Sequence, residues 1–233
     1  MRADGSHGAL MDRVYRRQRH IYNLTRRYYL IGRDDLIGRL DLRSGDYAVE
    51  IGCGTARNLI AIAQRYPGAR LFGLDASGEM LRTAQEAVNR AGLSARIVLR
   101  HGFAESLSPR LFGENRAFDC TIFSYSLSMI PDWRRALCAA GAALSAGGRT
   151  HVVDFGDFAG LPYAASAALR FWLRKFHVAP RAELLNALER TASAPGSKMR
   201  IYPGRYAFYW SGAAVPKSVL ANVAGPPQAA EIS

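Results

Sequence analysis

Short apolar runs alternate with amphipathic segments through most of this sequence, and the alternation predicts its fold. The apolar runs have the length and composition of buried strands, whereas the segments between them repeat apolar positions every three or four residues, as helices do. The predicted strands cover residues 47–51, 71–75, 97–100, 118–124 and 150–154. The predicted helices between them cover residues 58–65, 77–90 and 132–144. This order indicates an α/β fold with a doubly wound, mostly parallel sheet and helices on both faces. A C-terminal hairpin adds two strands to these five, which makes the predicted sheet seven-stranded.

The regular alternation ends after the last of these strands. Residues 163–177 and 181–192 have helical patterns. The runs at 199–203 and 206–211 predict a hairpin that turns at Pro203-Gly204. Such a hairpin would complete the sheet with antiparallel strands.

The segment over residues 11–40 is helical in pattern and rich in arginine. Within it Tyr15, Tyr22 and Tyr29 recur every seven residues and therefore share one face of a helix. That face either packs on the domain or belongs to a lid whose tyrosines line a site, and both can hold. We predict an N-terminal helical lid here.

Length and composition indicate one globular domain. The chain has 233 residues, of which 49% are hydrophobic and 21% charged. We predict a single domain over residues 11–215, flanked by disordered residues at 1–10 and 216–233. No apolar run is long enough to span a bilayer, and no N-terminal stretch has the apolar core of a signal peptide. We therefore expect a cytoplasmic protein, with contact to the inner face of the membrane left open.

The charge indicates anionic partners, and the cysteines indicate neither a disulfide framework nor a metal site. The formal net charge is +12, and most of the basic residues are arginines, which contact phosphates and carboxylates in a bidentate manner. Nucleic acid, an anionic membrane surface and an anionic substrate all fit this charge. Cys53, Cys120 and Cys138 are too scattered for a disulfide framework or a zinc site, and we expect no metal.

The clearest candidate chemistry follows the first predicted strand. Glu50 lies near the end of that strand, and Gly52 and Gly54 come directly after it. Glycines at such a turn let a ligand approach the backbone closely. Asp75 closes the next strand, where an acid suits the two hydroxyls of a ribose. The pattern predicts a site for an adenosine-containing cofactor.

Two classes of cofactor compete for this glycine loop. A dinucleotide fingerprint places a third glycine where this chain has the bulky Arg57. Glu50 would repel a nearby pyrophosphate but could bind an amino group. S-adenosylmethionine carries an amino-acid tail and no phosphate, so the loop favours it over NAD.

An ordered set of segments over residues 50–130 resembles class I S-adenosylmethionine-dependent methyltransferases, which have a Rossmann-like fold. The segments are the glycine loop, Asp75-Ala76-Ser77 with Met80-Leu81, and Gly102-Phe103-Ala104-Glu105. The family's loop usually ends in a further glycine, where this chain has Ala56. The resemblance implies that the cofactor is bound by Glu50, Gly52, Cys53, Gly54, Asp75, Ala76, Met80, Gly102, Phe103, Ala104 and Ser124. We also assign Arg33 to the cofactor site, as a ligand for a carboxylate of the cofactor or the substrate.

A narrower resemblance concerns two segments, 22–34 and Ser124–Trp133. They are similar to the N-methyltransferases of bacterial betaine-lipid synthesis (BtaB), which trimethylate the amino group of diacylglyceryl homoserine. The likeness runs from about residue 11 to residue 212. It implies a lipid headgroup as substrate, peripheral contact with an anionic membrane, and a functional partner that makes the homoserine lipid.

Methyl transfer from a sulfonium to an amine is an in-line displacement in which positioning and desolvation carry most of the rate. No strong general base is required if the ammonium loses its proton before attack. The trimethylated product is a permanent cation, which aromatic faces accommodate well. We therefore assign Tyr22, Tyr29 and Tyr125 to the amine pocket as candidate catalytic residues, although packing roles compete for each tyrosine.

Other functions fit parts of the pattern. The same fold could methylate a phospholipid amine or RNA, but the sequence Ser124-Tyr125-Ser126-Leu127 differs from the tetrapeptides typical of RNA enzymes, and no RNA-binding appendage is recognisable. A non-catalytic partner subunit would not need to keep Glu50 together with the two glycines and Asp75. The residues of 163–177 either cover the sheet or lie in a membrane interface.

Overall fold

A seven-stranded sheet with strand order β3-β2-β1-β4-β5-β7-β6 forms the centre of the protein. The structure, a computed structural model, describes residues 30–175 and 178–221. The strands are β1 (Tyr47–Ile51), β2 (Arg70–Asp75), β3 (Ile97–His101), β4 (Phe118–Ser124), β5 (Leu144–Phe155), β6 (Lys198–Ile201) and β7 (Ala207–Gly212). The helices are α1 (Arg33–Gly38), α2 (Arg57–Arg65), α3 (Gly78–Arg90), α4 (Trp133–Ala142), α5 (Tyr163–Arg174), α6 (Ala182–Thr191) and α7 (Lys217–Ala221).

The first five strands are parallel, and the last two are antiparallel to their neighbours. Strand β1 pairs with β2 and β4, which confirms the predicted parallel centre. Strand β7 pairs with β5 and β6 in antiparallel register, which confirms the predicted C-terminal hairpin. The site-bearing loops follow β1, β2 and β4, so they meet at the carboxyl edge of the sheet.

Helices bury both faces of the sheet, which explains why the parallel strands are almost continuously apolar. On one face, α1, α2, α3 and α5 pack through residues such as Leu36, Leu59 and Leu173. On the other face, α4, α6 and α7 pack through residues such as Trp133 and Leu188. Within the described residues, no helix combines the length and the apolar character needed to cross a bilayer.

Helix α3 begins where its sequence predicts. Ser77 has an extended backbone, and its side chain accepts a hydrogen bond from the Met80 N–H at 3.2 Å. This is the N-cap arrangement that satisfies an otherwise unpaired donor of the first helical turn. The cap directs Met80 of the first turn inward, where it is buried.

The boundary between α4 and β5 differs from the prediction. The helix ends at Ala142, and β5 already starts at Leu144 instead of residue 150. Gly147-Gly148, which the pattern marks as a helix stop, lies inside this strand, where the β4–β5 register shifts between Phe118 and Cys120. The paired glycines therefore belong to an irregularity of the strand.

The two chain ends bear on the predicted lid and tail. Of the lid over 11–40, the structure describes residues 30–40, in which α1 is helical, and residues 11–29 lie outside the described residues. The tail predicted to be disordered from residue 216 instead begins with α7, because Leu220 is buried in the core. Residues 1–10 and 222–233 also lie outside the described part.

We expect Gly156→Ala to destabilise the fold. An added Cβ would lie 2.0 Å from the carbonyl oxygen of Arg205, where the end of β5 approaches the chain that leads into β7. Overpacking of this kind typically costs about 1–3 kcal/mol. The loss should appear as a lower free energy of unfolding in urea. Gly78→Ala is the matched control, since no atom lies within 4 Å of its added Cβ, and equal stability of the two variants would contradict the prediction.

Candidate active site

The loop between β1 and α2 is shaped by backbone conformations that favour glycine. Gly52 and Gly54 have φ values of 74° and 53°, and Ala56 has a φ of 60° directly before α2. A Cβ added at Gly52 would lie 2.6 Å from the Cβ of Ser126. Glycine at this position therefore leaves room for the loop after β4 to approach the loop after β1.

The carboxylate of Asp75 holds two loops together. Its Oδ2 accepts a hydrogen bond from the Gly54 N–H at 2.7 Å, and its Oδ1 accepts one from the Ser77 N–H at 2.9 Å. Asp75 thus fixes the glycine loop while it lines the cleft beside it.

A cleft at the carboxyl edge of the sheet has two adjoining parts that share Gly52 and Gly54. The first part lies among the loops after β2, β3 and β4. Of the predicted site residues it brings together Gly52, Gly54, Asp75, Ala76, Met80, Gly102, Phe103, Ala104 and Tyr125. The second part lies between α1 and the start of α2, and it brings together Arg33, Glu50, Gly52, Cys53, Gly54 and Ser124.

Two oppositely charged side chains face the second part of the cleft. Glu50 is almost fully buried, and its Oε1 accepts a hydrogen bond from the Asn58 Nδ2 at 2.6 Å. Arg33 is the first residue of α1, follows Gly32 with its φ of 86°, and is also buried. A carboxylate and a guanidinium in one cleft suit the ammonium and the carboxylate of an amino acid.

Tyr125 has an unusual backbone for a bulky residue, with a φ of 56° directly after β4. Its ring packs edge-on against Phe155 at 4.7 Å, and its hydroxyl donates a hydrogen bond to the Ile31 carbonyl at 2.5 Å. Burial raises the pKa of this hydroxyl well above its ordinary value. Of the three tyrosines assigned to the amine pocket, Tyr125 lines the cleft, whereas Tyr22 and Tyr29 lie outside the described residues.

Ser124 and Cys53 line the cleft in different ways. The Oγ of Ser124 is buried and has no hydrogen-bond partner within the part of the chain that the structure describes. Cys53 is buried, and its backbone N–H donates to the Leu74 carbonyl at 3.1 Å. Burial raises the pKa of the Cys53 thiol well above its ordinary value, so a protonated thiol stands here. Among the described residues no His, Cys, Asp and Glu cluster could hold a metal ion.

Asp154, which the sequence analysis did not single out, shapes the loop after β4. It is fully buried near the end of β5, and its carboxylate accepts hydrogen bonds from the Ser128 N–H at 3.0 Å and the Phe155 N–H at 2.8 Å. Burial raises its pKa from 3.8 to about 6, although these hydrogen bonds oppose the rise. An available signal is that acids lie at or near the ends of three apolar strands, Glu50 in β1, Asp75 in β2 and Asp154 in β5.

Comparisons with known proteins identify related sequences. Residues 48–148 match the family described as Methyltransferase domain. Demethylmenaquinone methyltransferase of Geobacillus kaustophilus (strain HTA426) is 32% identical over 125 residues, which are 53% of this chain and 51% of the relative. The chain thus spans about half the length of the curated relatives it matches. These relatives are named for demethylmenaquinone and not for betaine-lipid synthesis.

Two solved structures show the same fold. The S-adenosylmethionine-dependent methyltransferase SibL in its apo form has a TM-score of 0.62 at 21% identity over 87% of this chain and 58% of that chain. Phosphoethanolamine N-methyltransferase 2 of Haemonchus contortus, in complex with S-adenosyl-L-methionine, has a TM-score of 0.56 at 17% identity over 72% of this chain and 37% of that chain. At these identities the likeness establishes the fold.

We expect Asp75→Asn to weaken S-adenosylmethionine binding about tenfold to a hundredfold, because the amide nitrogen cannot accept a backbone N–H. Isothermal calorimetry measures the affinity. Asp46→Asn is the matched control, since the Asp46 carboxylate also accepts a backbone N–H, from Arg43 at 2.7 Å, but lies outside the cleft. Wild-type affinity in Asp75→Asn would contradict the role of Asp75.

We expect the buried carboxyl of Asp154 to make stability fall as pH rises. Its pKa is higher in the folded protein than in the unfolded chain, so protonation stabilises the fold at low pH, and this stabilisation is lost as pH rises through about 6. The free energy of unfolding of the wild type should fall relative to Asp154→Asn by up to about 1.4 kcal/mol per pH unit between about pH 4 and 6.

Urea unfolding at several pH values measures this difference. Burial lowers the pKa of His151 to about 3, but His151 is present in both proteins, so its titration cancels in the difference. Parallel pH profiles of the wild type and Asp154→Asn would contradict the assignment.

Proposed function

Because residues 48–148 match a methyltransferase domain and the chain has the class I fold, whose methyl donor is S-adenosylmethionine, we propose that this chain methylates the amino group of diacylglyceryl homoserine, a step of betaine-lipid synthesis. The observation that carries the choice of an amine is the wall that the loop after β4 contributes to the cleft. This wall is apolar and aromatic, with Tyr125, Met129, Ile130 and Pro131.

The residues of the cleft suit the parts of the donor. The carboxylate of Asp75 lines the cleft at the end of β2, where an acid suits the two hydroxyls of a ribose. Met80 and Phe103 offer apolar surface for an adenine. Glu50 and Arg33 match the ammonium and the carboxylate of the methionine portion. When bound, the donor supplies a methyl group on a positively charged sulfur.

The groups around the wall favour an acceptor that arrives as a nucleophile. Within the described lining of the first part of the cleft, the titratable side chains are those of Asp75, Glu105 and Tyr125. Asp75 already accepts two N–H groups, and the Tyr125 hydroxyl already donates to Ile31 and has a raised pKa. A neutral amine needs no strong base at this wall, since its proton can leave to water before attack.

The aromatic side chains that line the first part of the cleft, Tyr125 and Phe103, suit a cationic product. The ring of Tyr125 packs against Phe155, which holds it in place. The ring centroid of Phe155 lies 6.3 Å from that of Phe158 and 5.9 Å from that of Tyr206. Aromatic faces attract quaternary ammonium groups. Successive methylations of one amine end in such a group, so the same wall can serve every round.

A demethylmenaquinone-type acceptor is the second candidate, because the curated relatives carry that name at 32% identity. A quinone is an electrophile, so such an acceptor must arrive as its reduced quinol, and removal of a hydroxyl proton at the site then makes the nucleophile. The two candidates therefore make different demands on the groups of the wall.

The acceptor can be tested with purified protein and S-adenosylmethionine. Detergent micelles that carry diacylglyceryl homoserine, phosphatidylethanolamine or demethylmenaquinone are supplied in parallel, with the demethylmenaquinone kept as its reduced quinol by dithionite. S-adenosylhomocysteine and the lipid masses are measured. We expect products that carry one, two and three added methyl groups with the homoserine lipid alone. Turnover with demethylmenaquinone and none with the homoserine lipid would overturn the proposal in favour of the second candidate.

We expect Tyr125→Phe to lower kcat with the homoserine lipid about tenfold, while the affinity for S-adenosylmethionine stays close to that of the wild type. The change removes the hydrogen bond to the Ile31 carbonyl that joins the segment before α1 to the wall. Tyr209→Phe is the control, because the Tyr209 hydroxyl also has a buried partner, His151, outside the cleft. Unchanged kcat in Tyr125→Phe would show that this hydroxyl has no part in turnover.

A further inference from the structure

Helix α5 exposes an apolar face to the surroundings. Ala164, Ala167, Ala168 and Phe171 follow the spacing of three and four residues that places side chains on one side of a helix, and all four are exposed. Phe171 alone keeps 56% of its surface exposed. The face that packs on the protein lies opposite and is centred on Leu173, which is 1% exposed.

The exposed face of α5 is bordered by cations. Arg174 and Lys175 lie over the ring of Phe171, with 5.9 Å and 4.9 Å to its centroid. The stretch from Tyr163 to Lys175 contains no acidic residue. A helix with an apolar face flanked by basic residues has the composition of an interfacial helix, which lies in the headgroup region of a bilayer.

This helix belongs to the same edge of the sheet as the cleft. It follows the loop after β5, and Arg170 donates a hydrogen bond to the Asp157 carbonyl and lies over the ring of Phe158 at 5.3 Å. Phe158 contacts Phe155, which in turn packs against Tyr125 in the wall of the cleft. A surface that binds α5 would therefore lie near the wall that the loop after β4 contributes to the cleft.

We propose that α5 docks on an anionic membrane, with Phe171 and the alanines of its outer face at the boundary between headgroups and acyl chains. The positive charge of Arg174 and Lys175 complements anionic lipids, to which each basic residue near the surface adds attraction. The proposal rests on the proposed function for its purpose, which is delivery of a lipid headgroup to the cleft. Binding itself is measured without methyl transfer.

Other occupants fit this face less well. Nucleic acid would engage the cations but gain little from an outer row of alanines and one phenylalanine. A second copy of the chain, packed in parallel, would bring Arg174 and Lys175 of both helices close together, where like charges repel, and an antiparallel copy would leave these cations without an anionic partner on α5. An anionic bilayer satisfies the apolar row and the cations at once.

Vesicle flotation with the full chain tests the proposal. Vesicles of phosphatidylcholine with about one third phosphatidylglycerol are compared with pure phosphatidylcholine, each at low and at high salt. We expect the protein to float with the anionic vesicles at low salt and to be released in part by high salt. Absence of binding to anionic vesicles at low salt would overturn the proposal.

Matched variants locate the contact. Phe171→Asp, and the double variant Arg174→Glu with Lys175→Glu, should each lower partitioning onto anionic vesicles about tenfold or more. Leu111→Asp is the control for the first variant, because Leu111 is an exposed apolar residue outside α5. Arg82→Glu with Arg135→Glu is the control for the second, because it changes the net charge equally at two exposed arginines.

The outcomes separate this proposal from the proposed function. Loss of vesicle binding in the α5 variants, with methyl transfer to a short-chain water-soluble homoserine lipid unchanged, supports docking through α5. The proposal would be overturned if the α5 variants bound vesicles as well as their controls do. It would also be overturned if analytical ultracentrifugation showed a dimer that Phe171→Asp dissociates, because α5 would then be a dimer interface. Absence of methyl transfer to any acceptor would count against the proposed function and leave the flotation result standing.

Discussion

The hydrogen bonds of the Asp75 carboxylate are the constraint on which the site depends. Through them the end of β2 holds the glycine loop after β1 and the cap of α3 in one arrangement. The glycine loop that these hydrogen bonds hold ends at Ala56, which adopts a left-handed backbone conformation that glycine favours. Because Asp75 holds both loops in the unliganded fold, the cleft is preorganised, which reduces the ordering cost of binding.

Much of the fold follows from local pattern. Strands β1 and β4 have their predicted bounds, and Ser77 caps α3 as its sequence indicates, because strand burial and helix capping are both determined by residues close in sequence. The start of β5 was missed because Gly147-Gly148 has the local features of a helix stop, and only pairing with β4 shows that the chain is already in the sheet there.

In the candidate site too, some features follow from local sequence, whereas others depend on contacts between residues far apart in the chain. Glu50 and Asp75 lie near strand ends and line one cleft, because parallel strands bring their carboxyl ends to one edge. The contact between Tyr125 and Ile31 joins residues far apart in the chain, and no spacing in the sequence predicts it. The sequence does not predict the burial of Asp154 for a related reason, since one of its partners, Ser128, comes from the loop after β4.

Cys53 lies in the glycine loop of the cleft, and its burial has a consequence for thiol chemistry. Thiols react with oxidants and alkylating reagents mainly as thiolates, and burial raises the pKa of both Cys53 and Cys120. These two cysteines therefore remain protonated and shielded at neutral pH. Cys138 on α4 is partly exposed, so thiol modification is directed there, away from the cleft. The glycine loop therefore contains a cysteine that thiol reagents reach less readily than Cys138.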